Sequence, residues 1–384
     1  MRVPGVAIIG TGFMGWVHAE ALRRCNLPIV GILGSTPEKS REAAKDLHIE
    51  RGYQDLPQLL VDEKVTSVHI GTPNHLHFQM VKACLEAGKH VLCEKPLAMN
   101  SKESAALVEL SAAYPELAAG VNYNIRGYPL CIEAREMITA GDLGEVLHIT
   151  GSYTQDWLSK PTDYNWRVLA DEGGQLRAVA DIGTHWFDLM MTLTGLEVEA
   201  VCADLKTVFD VRRRPVGEVE TFSEDSVEER QSQDVDILTE DYGAILLKFK
   251  GGARGSVFVS QVMPGRKNCL QFEIAGTQST LSWNSEQGNE LWIGHRNKPN
   301  QRLIRDPALL SPAAAAVASY PGGHNEGYAD SFKQCFRAFY GYIAANDWRA
   351  SPSYATFSDG HREVMLCEAI LASHQKQSWV SVGE

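Results

Sequence analysis

Three clusters in this 384-residue chain have the residue types and spacing to do chemistry. The first is Gly10-Thr11-Gly12-Phe13-Met14-Gly15, which follows an apolar run and opens a helical one. In that setting the first glycine allows a tight turn, the second lets backbone approach a pyrophosphate, and the third lets helix and strand pack closely. The helix N-terminus then meets a diphosphate with free N–H groups and partial positive charge. The second cluster is Glu94-Lys95-Pro96, preceded by Thr72-Pro73-Asn74. A lone lysine is usually a surface charge. This one sits beside a carboxylate and just before a proline that restricts its backbone, a costly arrangement for a merely solvated residue. The third is Asp181-Ile182-Gly183-Thr184-His185-Trp186-Phe187-Asp188. If Asp181 opens a helix, then Asp181, His185 and Asp188 share a face by i, i+4 and i+7 spacing. A carboxylate near an imidazole orients it and raises its basicity, which suits taking a proton from an alcohol. From these residues alone, an N-capping Asp with a satisfied core His is the simpler reading.

The elements that must position these clusters fall into two patterns. Up to about residue 125, apolar runs at 6–9, 29–33, 65–70, 90–93 and 118–121 alternate with helical stretches at 16–24, 37–47, 75–87 and 101–113. That alternation predicts βαβ units and a doubly wound parallel sheet covered on both faces. Both tripeptides of the second cluster then fall at carboxyl ends of parallel strands, where open α/β sheets bind ligands. Beyond residue 140 strands dominate, at 146–155, 198–208, 244–249, 256–262, 270–275, 280–283 and 290–294, with Gly251-Gly252 marking a hairpin. Helices remain at 181–194, 326–345 and 359–374. The expected architecture is α/β: a Rossmann domain over 1–125, then an α+β domain over 126–384 built on a large, mostly antiparallel sheet.

Composition sets outer bounds. Hydrophobic residues make up 44% and charged residues 22%, as in a globular chain. Thirty-six Lys+Arg against 48 Asp+Glu leaves a net charge of −12, a field that repels phosphate backbones and anionic lipid. Nucleic acid and membrane surfaces are therefore poor partners. No apolar run reaches the ~20 residues of a spanning helix, and no cleavable apolar segment precedes the first strand. The eight cysteines (25, 84, 93, 131, 202, 269, 335 and 367) form no CxxC pair and read as buried thiols of a cytoplasmic protein. The segment 212–230, with Arg212-Arg213-Arg214 among many acids, reads as a solvated loop or extended hairpin tip. His69, His75 and His77 do not suggest a metal: the first lies within a strand, and the other two open a helix on different faces.

The glycine motif, Thr72-Pro73-Asn74, Glu94-Lys95-Pro96 and Asp181-x-Gly-x-His185, in that order on a dinucleotide domain followed by a strand-rich one, resemble the Gfo/Idh/MocA family. The resemblance spans essentially the whole chain. It implies an NAD(P)-dependent oxidoreductase in which Lys95 and His185 flank the substrate carbinol. His185 or Lys95 would be the general base, and Asp181 an orienting or hydrogen-bonding partner. It also implies a cis peptide at Lys95–Pro96. The dinucleotide would lie on Gly10, Thr11, Gly12, Phe13 and Met14, on Thr72, Asn74 and His75, and on Glu94, Lys95 and Asn122. NAD-type sites usually carry an acid after the second strand. Here Gly34-Ser35-Thr36 and Lys39 stand there instead, so a 2′-phosphate is not repelled, and the same hydroxyls could equally bind a plain ribose. The cofactor is NAD or NADP.

Tyr123 and Arg126, Tyr153 and Gln155, Trp166 and Arg167, Asp181 and His185, and His324 resemble the substrate pocket of members that act on pyranoses at C3, levoglucosan and glucoside 3-dehydrogenases among them. Polar groups would read sugar hydroxyls while aromatic faces cover C–H surfaces. The expected activity is oxidation of a secondary hydroxyl, with C3 favoured, on a pyranose or glycoside. Two alternatives stand beside it. A redox-neutral NAD-dependent glycosidase would work by transient oxidation, elimination, hydration and re-reduction. A non-catalytic dinucleotide sensor would need only the glycine loop. The resemblance further implies a homodimer or homotetramer built on the open sheet face.

Overall fold

The computed structural model describes residues 4–215 and 232–383. In chain order its elements are β1 (Val6–Ile9), α1 (Phe13–Arg24), β2 (Ile29–Leu33), α2 (Pro37–Asp46), α3 (Leu56–Leu60), β3 (Ser67–Ile70), α4 (His77–Glu86), β4 (His90–Cys93), α5 (Ser101–Ala113) and β5 (Ala119–Val121). Then follow α6 (Pro129–Thr139), β6 (Val146–Thr154), α7 (Ala170–Gly173), α8 (Thr184–Thr194), β7 (Val198–Lys206), β8 (Val211–Pro215), β9 (Ser232–Asp236), β10 (Tyr242–Phe249) and β11 (Arg254–Ser260). The chain ends with β12 (Cys269–Gly276), β13 (Ser279–Asn284), β14 (Glu290–His295), β15 (Gln301–Ile304), α9 (Pro312–Val317), α10 (Tyr328–Ala345), α11 (Phe357–Lys376) and β16 (Val380–Ser381).

These elements form two compact units, Met1–Asn124 with Ala329–Val364, and Ile125–Tyr328 with Met365–Glu384. The sequence reading puts 126–384 in one domain, whereas 329–364 here groups with the first unit. The reason is visible in the first unit's core. Phe332, Phe336, Phe339, Tyr340 and Tyr354 pack with Val6, Ile8, Leu22 and Ile32, an apolar face that the first 124 residues leave uncovered.

In the first unit the five strands lie in the order β2-β1-β3-β4-β5, all parallel. Their short apolar runs are buried, as a sheet covered on both faces requires. The returning chain bonds the outer strand, Val121 N to Ala355 O at 2.8 Å, so this edge of the sheet is not left open. Helix starts are set by local chemistry: Thr36 caps α2 with Pro37 at its first position, and Asn100 caps α5.

The second unit holds a nine-stranded sheet, β15-β14-β13-β12-β6-β11-β10-β7-β16, antiparallel except where β6 meets β11. Gly251 and Gly252, both at positive φ, turn β10 into β11. One sheet face is covered by α8. A side chain at Gly151 of β6 would overlap the Trp186 indole at 2.4 Å, so glycine there lets that ring lie flat on the strand and donate to Gln271 O at 3.0 Å. Of the two readings of 212–230, the extended hairpin agrees with β8 pairing antiparallel with β9, while Arg212 is fully buried and not solvated; residues 216–230 lie outside the described residues. The apolar runs also gave no sign of α3, α6, α9, β15 or β16, which are short or open on a proline and so show little periodicity.

Candidate active site

In the first unit the glycine loop joins β1 to α1. Gly10 has φ +114°, and a Cβ there would meet Gly71 O at 2.5 Å; one on Gly15 would meet Gly10 O at 2.2 Å. These two glycines serve the turn and the close packing. Gly12 differs, since a Cβ there would meet nothing within 4 Å. It is the N-cap of α1, has no side-chain cap, and no acidic residue follows in the first turn. Open space, uncapped N–H groups and an uncontested positive helix end fit a dinucleotide diphosphate. Thr11 precedes it in the loop, and Phe13 and Met14 open α1.

At the next strand ends, His77 ties two loops together. Its Nδ1 lies 2.7 Å from Pro96 O and its Nε2 3.0 Å from Thr72 O. Burial lowers the His77 pKa, against the pull of the two carbonyls. The clasp holds Thr72 near Lys95, which is half-buried, and the Lys95–Pro96 peptide is cis. Asn74 and His75 begin a 3-10 turn ahead of α4, and His75 is exposed.

Glu94 points inward, contrary to a direct cofactor contact. Its Oε1 accepts from His18 Nε2 at 3.0 Å and from Asn122 Nδ2 at 2.6 Å. Burial opposes its ionisation, but His18, Asn122 and Lys95 together hold the carboxyl below its usual range. Behind it a buried chain continues from His18 Nδ1 to His69 Nδ1 (2.9 Å), His69 Nε2 to the Tyr340 hydroxyl (2.8 Å), and on to Ser67 Oγ (3.0 Å). An ionised Glu94 only accepts, so His18 Nε2 is the donor of that bond. Asn122 keeps a buried Oδ1 without a hydrogen-bond partner. Past β2, Thr36 Oγ1 accepts from Lys39 N at 3.2 Å and so caps α2, while Ser35 is exposed. Sequence reasoning missed Ser40, whose buried hydroxyl fixes this turn by accepting from Gly34 N. Tyr123, expected in the substrate pocket, lies instead in the first unit's apolar core with Val121, Ala355 and Phe357.

In the second unit, Asp181 does not open an α-helix. It lies in a π-helical turn, Val179–Gly183, and α8 starts only at Thr184. The expected i, i+4, i+7 face is therefore broken. Asp188 is fully buried and forms a two-pronged ion pair with Arg126, with Nε to Oδ2 at 2.7 Å, so Arg126 is engaged by Asp188. Glu240 receives the backbone N–H groups of Arg177 and Val179 at 2.9 and 2.8 Å, fixing the start of the π turn. Asp181 Oδ2 accepts from Gln261 Nε2 at 2.8 Å, and its Oδ1 lies 3.5 Å from Arg167 Nε. Arg167 also lies over the Trp166 ring at 4.5 Å. His185 is buried, with its ring 6.3 Å from that of Tyr153. Tyr153 and Gln155 converge on Asn268 Oδ1 at 2.7 and 2.9 Å, a residue with no signal in the sequence. His324 is exposed, and its carbonyl is held by Arg305. Among the described residues no His, Cys, Asp and Glu cluster could hold a metal, and no helix is long and apolar enough to cross a membrane.

Residues 5–122 match an oxidoreductase family profile described as an NAD-binding Rossmann fold, and residues 131–282 match the GFO/IDH/MocA C-terminal domain. Levoglucosan dehydrogenase of Pseudarthrobacter phenanthrenivorans is 31% identical, over 100% of this chain and 99% of its own. Myo-inositol 2-dehydrogenase of Thermotoga maritima is 28% identical over 66% of this chain and 67% of its own. Among solved structures, a levoglucosan dehydrogenase complex with NADH and L-sorbose superposes with a TM-score of 0.89 at 30% identity, covering 100% of both chains.

Proposed function

The chain belongs to the GFO/IDH/MocA family of NAD-binding oxidoreductases, and from that premise we propose that it oxidises a secondary hydroxyl, at C3, of a pyranose or glycoside. One observation carries the reading: the open cradle at Gly12 and the half-buried Lys95 stand at carboxyl ends of strands in a single parallel sheet. Such an edge is where open α/β sheets bind ligands. The glycine loop around Gly12 would hold the dinucleotide, which would supply the hydride acceptor for the carbinol carbon. The hydroxyl proton must leave at the same time, and we assign its removal to a single general base, His185 or Lys95. Asp181, held as a hydrogen-bond acceptor by Gln261, orients the donor groups around the hydroxyl. The Trp166–Arg167 stack and the Tyr153–Asn268–Gln155 group supply the aromatic and polar surface that a sugar needs.

The turn after β2 carries no carboxylate, so both NAD and NADP are to be offered as oxidant. The test is a panel of free pyranoses, 1,6-anhydropyranoses, inositols and glycosides, read separately for reduced dinucleotide and for released aglycone. Reduced dinucleotide with an intact glycoside supports the reading. Aglycone release without reduced dinucleotide would replace it with a redox-neutral glycosidase, and no reaction with any member would leave a sensor. We further propose that the open face of the nine-stranded sheet, where Leu246 is half exposed beside Tyr242 and Phe258, pairs with a second copy. Sedimentation as a single 42.3 kDa species would overturn that.

A further inference from the structure

We propose that Gln261, Arg177, Asp241 and Arg212 are positioning residues that lock Asp181 to the loop carrying Trp166 and Arg167, making the β8–β9 hairpin a specificity element of the site. The inference rests on the sugar-dehydrogenase reading and adds to it.

Asp241 is fully buried between two guanidinium groups that are themselves fully buried, Arg177 and Arg212. Its second oxygen takes the N–H groups of Val208 at 2.7 Å and Phe209 at 3.1 Å. Burial opposes its ionisation, but the two arginines hold the carboxyl below its usual range. From this fixed anion the network runs two ways.

Toward Asp181, Arg177 Nη1 can only donate, so the amide atom it meets at 3.4 Å is Gln261 Oε1. That sets the amide so that Nε2, a donor, faces Asp181 Oδ2 at 2.8 Å. The arginine thereby decides which way the glutamine points, and the glutamine presents Asp181 as an acceptor.

Toward the substrate loop, Arg212 Nη1 donates to the carbonyls of Lys160 at 2.8 Å and Asp163 at 3.0 Å, and its Nη2 donates to Leu158 O at 2.9 Å. Arg213 N bonds Pro161 O at 2.9 Å, and Leu158 and Val168 pack against Ile237 beyond β9. The loop fixed in this way leads into Trp166 and Arg167. Arg167 Nε, 3.5 Å from Asp181 Oδ1, closes the circuit.

Stability alone does not call for this arrangement, because apolar residues of similar volume commonly serve a buried site as well as an ion pair does. What the network does supply is direction: one arm of donors leads to Asp181, and the other fixes the carbonyls of the loop ahead of Trp166. Asp181 is faced by Arg167 and Gln261, and it adds to burial in raising the pKa of the Tyr153 phenol.

The experiment takes the full-length chain, NAD or NADP, and the sugar that wild type oxidises in the panel above. Thermal melting and dinucleotide affinity report folding. Gln261→Glu puts a carboxylate against Asp181, and like charges raise a carboxyl pKa. The ionised form of Asp181 then exists only at higher pH, so the acid limb of the kcat/KM profile should move upward. Gln261→Met removes the donor without adding charge and should lower kcat by about 10- to 100-fold. Arg212→Lys loses the forked contact to the loop and should raise KM several-fold more than it lowers kcat. If Gln261→Glu fails to fold, Gln261→Met and Arg212→Lys carry the test. Folded variants with wild-type kcat, KM and pH profile would overturn the inference. Asp181→Asn at full rate would instead overturn the reading on which it rests.

Discussion

At the scale of single residues, the glycine motif separates ligand binding from folding. Gly10 and Gly15 have backbone within 2.5 and 2.2 Å of where a Cβ would sit, whereas Gly12 has open space. Gly10→Ala should therefore destabilise the fold by about 1–3 kcal/mol through backbone strain and overlap. Gly12→Val meets no overlap but replaces a favoured N-cap glycine by a β-branched residue, so it should cost less, about 1 kcal/mol. It should nevertheless weaken dinucleotide binding at least 10-fold by filling the space a diphosphate approaches. Fluorescence titration with NADH alongside thermal melting checks both. Equal loss of stability in the two variants would contradict this division. Residue types in the motif announced the cradle, because the chemistry of glycine is local. Asn268 and Gln261 could not be read in the same way. Each acquires its role from residues more than 75 positions away, and only the folded sheet brings them together.

At the scale of elements, β4 and β5 are joined by an unusual bond, in which Ala118 N donates to His90 Nδ1 at 3.0 Å. That bond needs a neutral ring, and burial pushes the His90 pKa down from 6.5 to about 4. The folded-state value lies below the unfolded one, so stability is full above about pH 6.5. It is lost as pH falls toward 4, by up to about 3 kcal/mol. Chemical denaturation of wild type and His90→Gln between pH 7 and 4 should show a flatter dependence in the variant; parallel curves would rule it out. Strand–helix alternation made the parallel sheet legible, because buried strands of that kind are continuous apolar runs. The π turn at Val179–Gly183 was not legible. Helical spacing assumes uniform rotation per residue, and the wide turn shifts Asp181 off the face that His185 and Asp188 were expected to share. The burial of Arg212 was not legible for a related reason, since three consecutive arginines suggest solvent until Asp241 is seen to neutralise one of them inside the protein.

At the scale of the whole molecule, the order of motifs carried more information than any one of them. The family assignment rests on that order and is matched along the full chain by a levoglucosan dehydrogenase at 31% identity. The return of residues 329–364 to the first unit had no local signal, since an amphipathic helix does not state which apolar surface it will cover. The central claim is that Lys95 and His185 flank the reacting hydroxyl and that one of them takes its proton. Its most direct test is the rate of dinucleotide reduction by Lys95→Met and His185→Ala with the panel's best sugar, after dinucleotide binding has been confirmed for each. Both variants should bind dinucleotide as wild type does and lose at least 100-fold in kcat, the usual contribution of a positioned general base. Wild-type turnover in either variant would contradict the account.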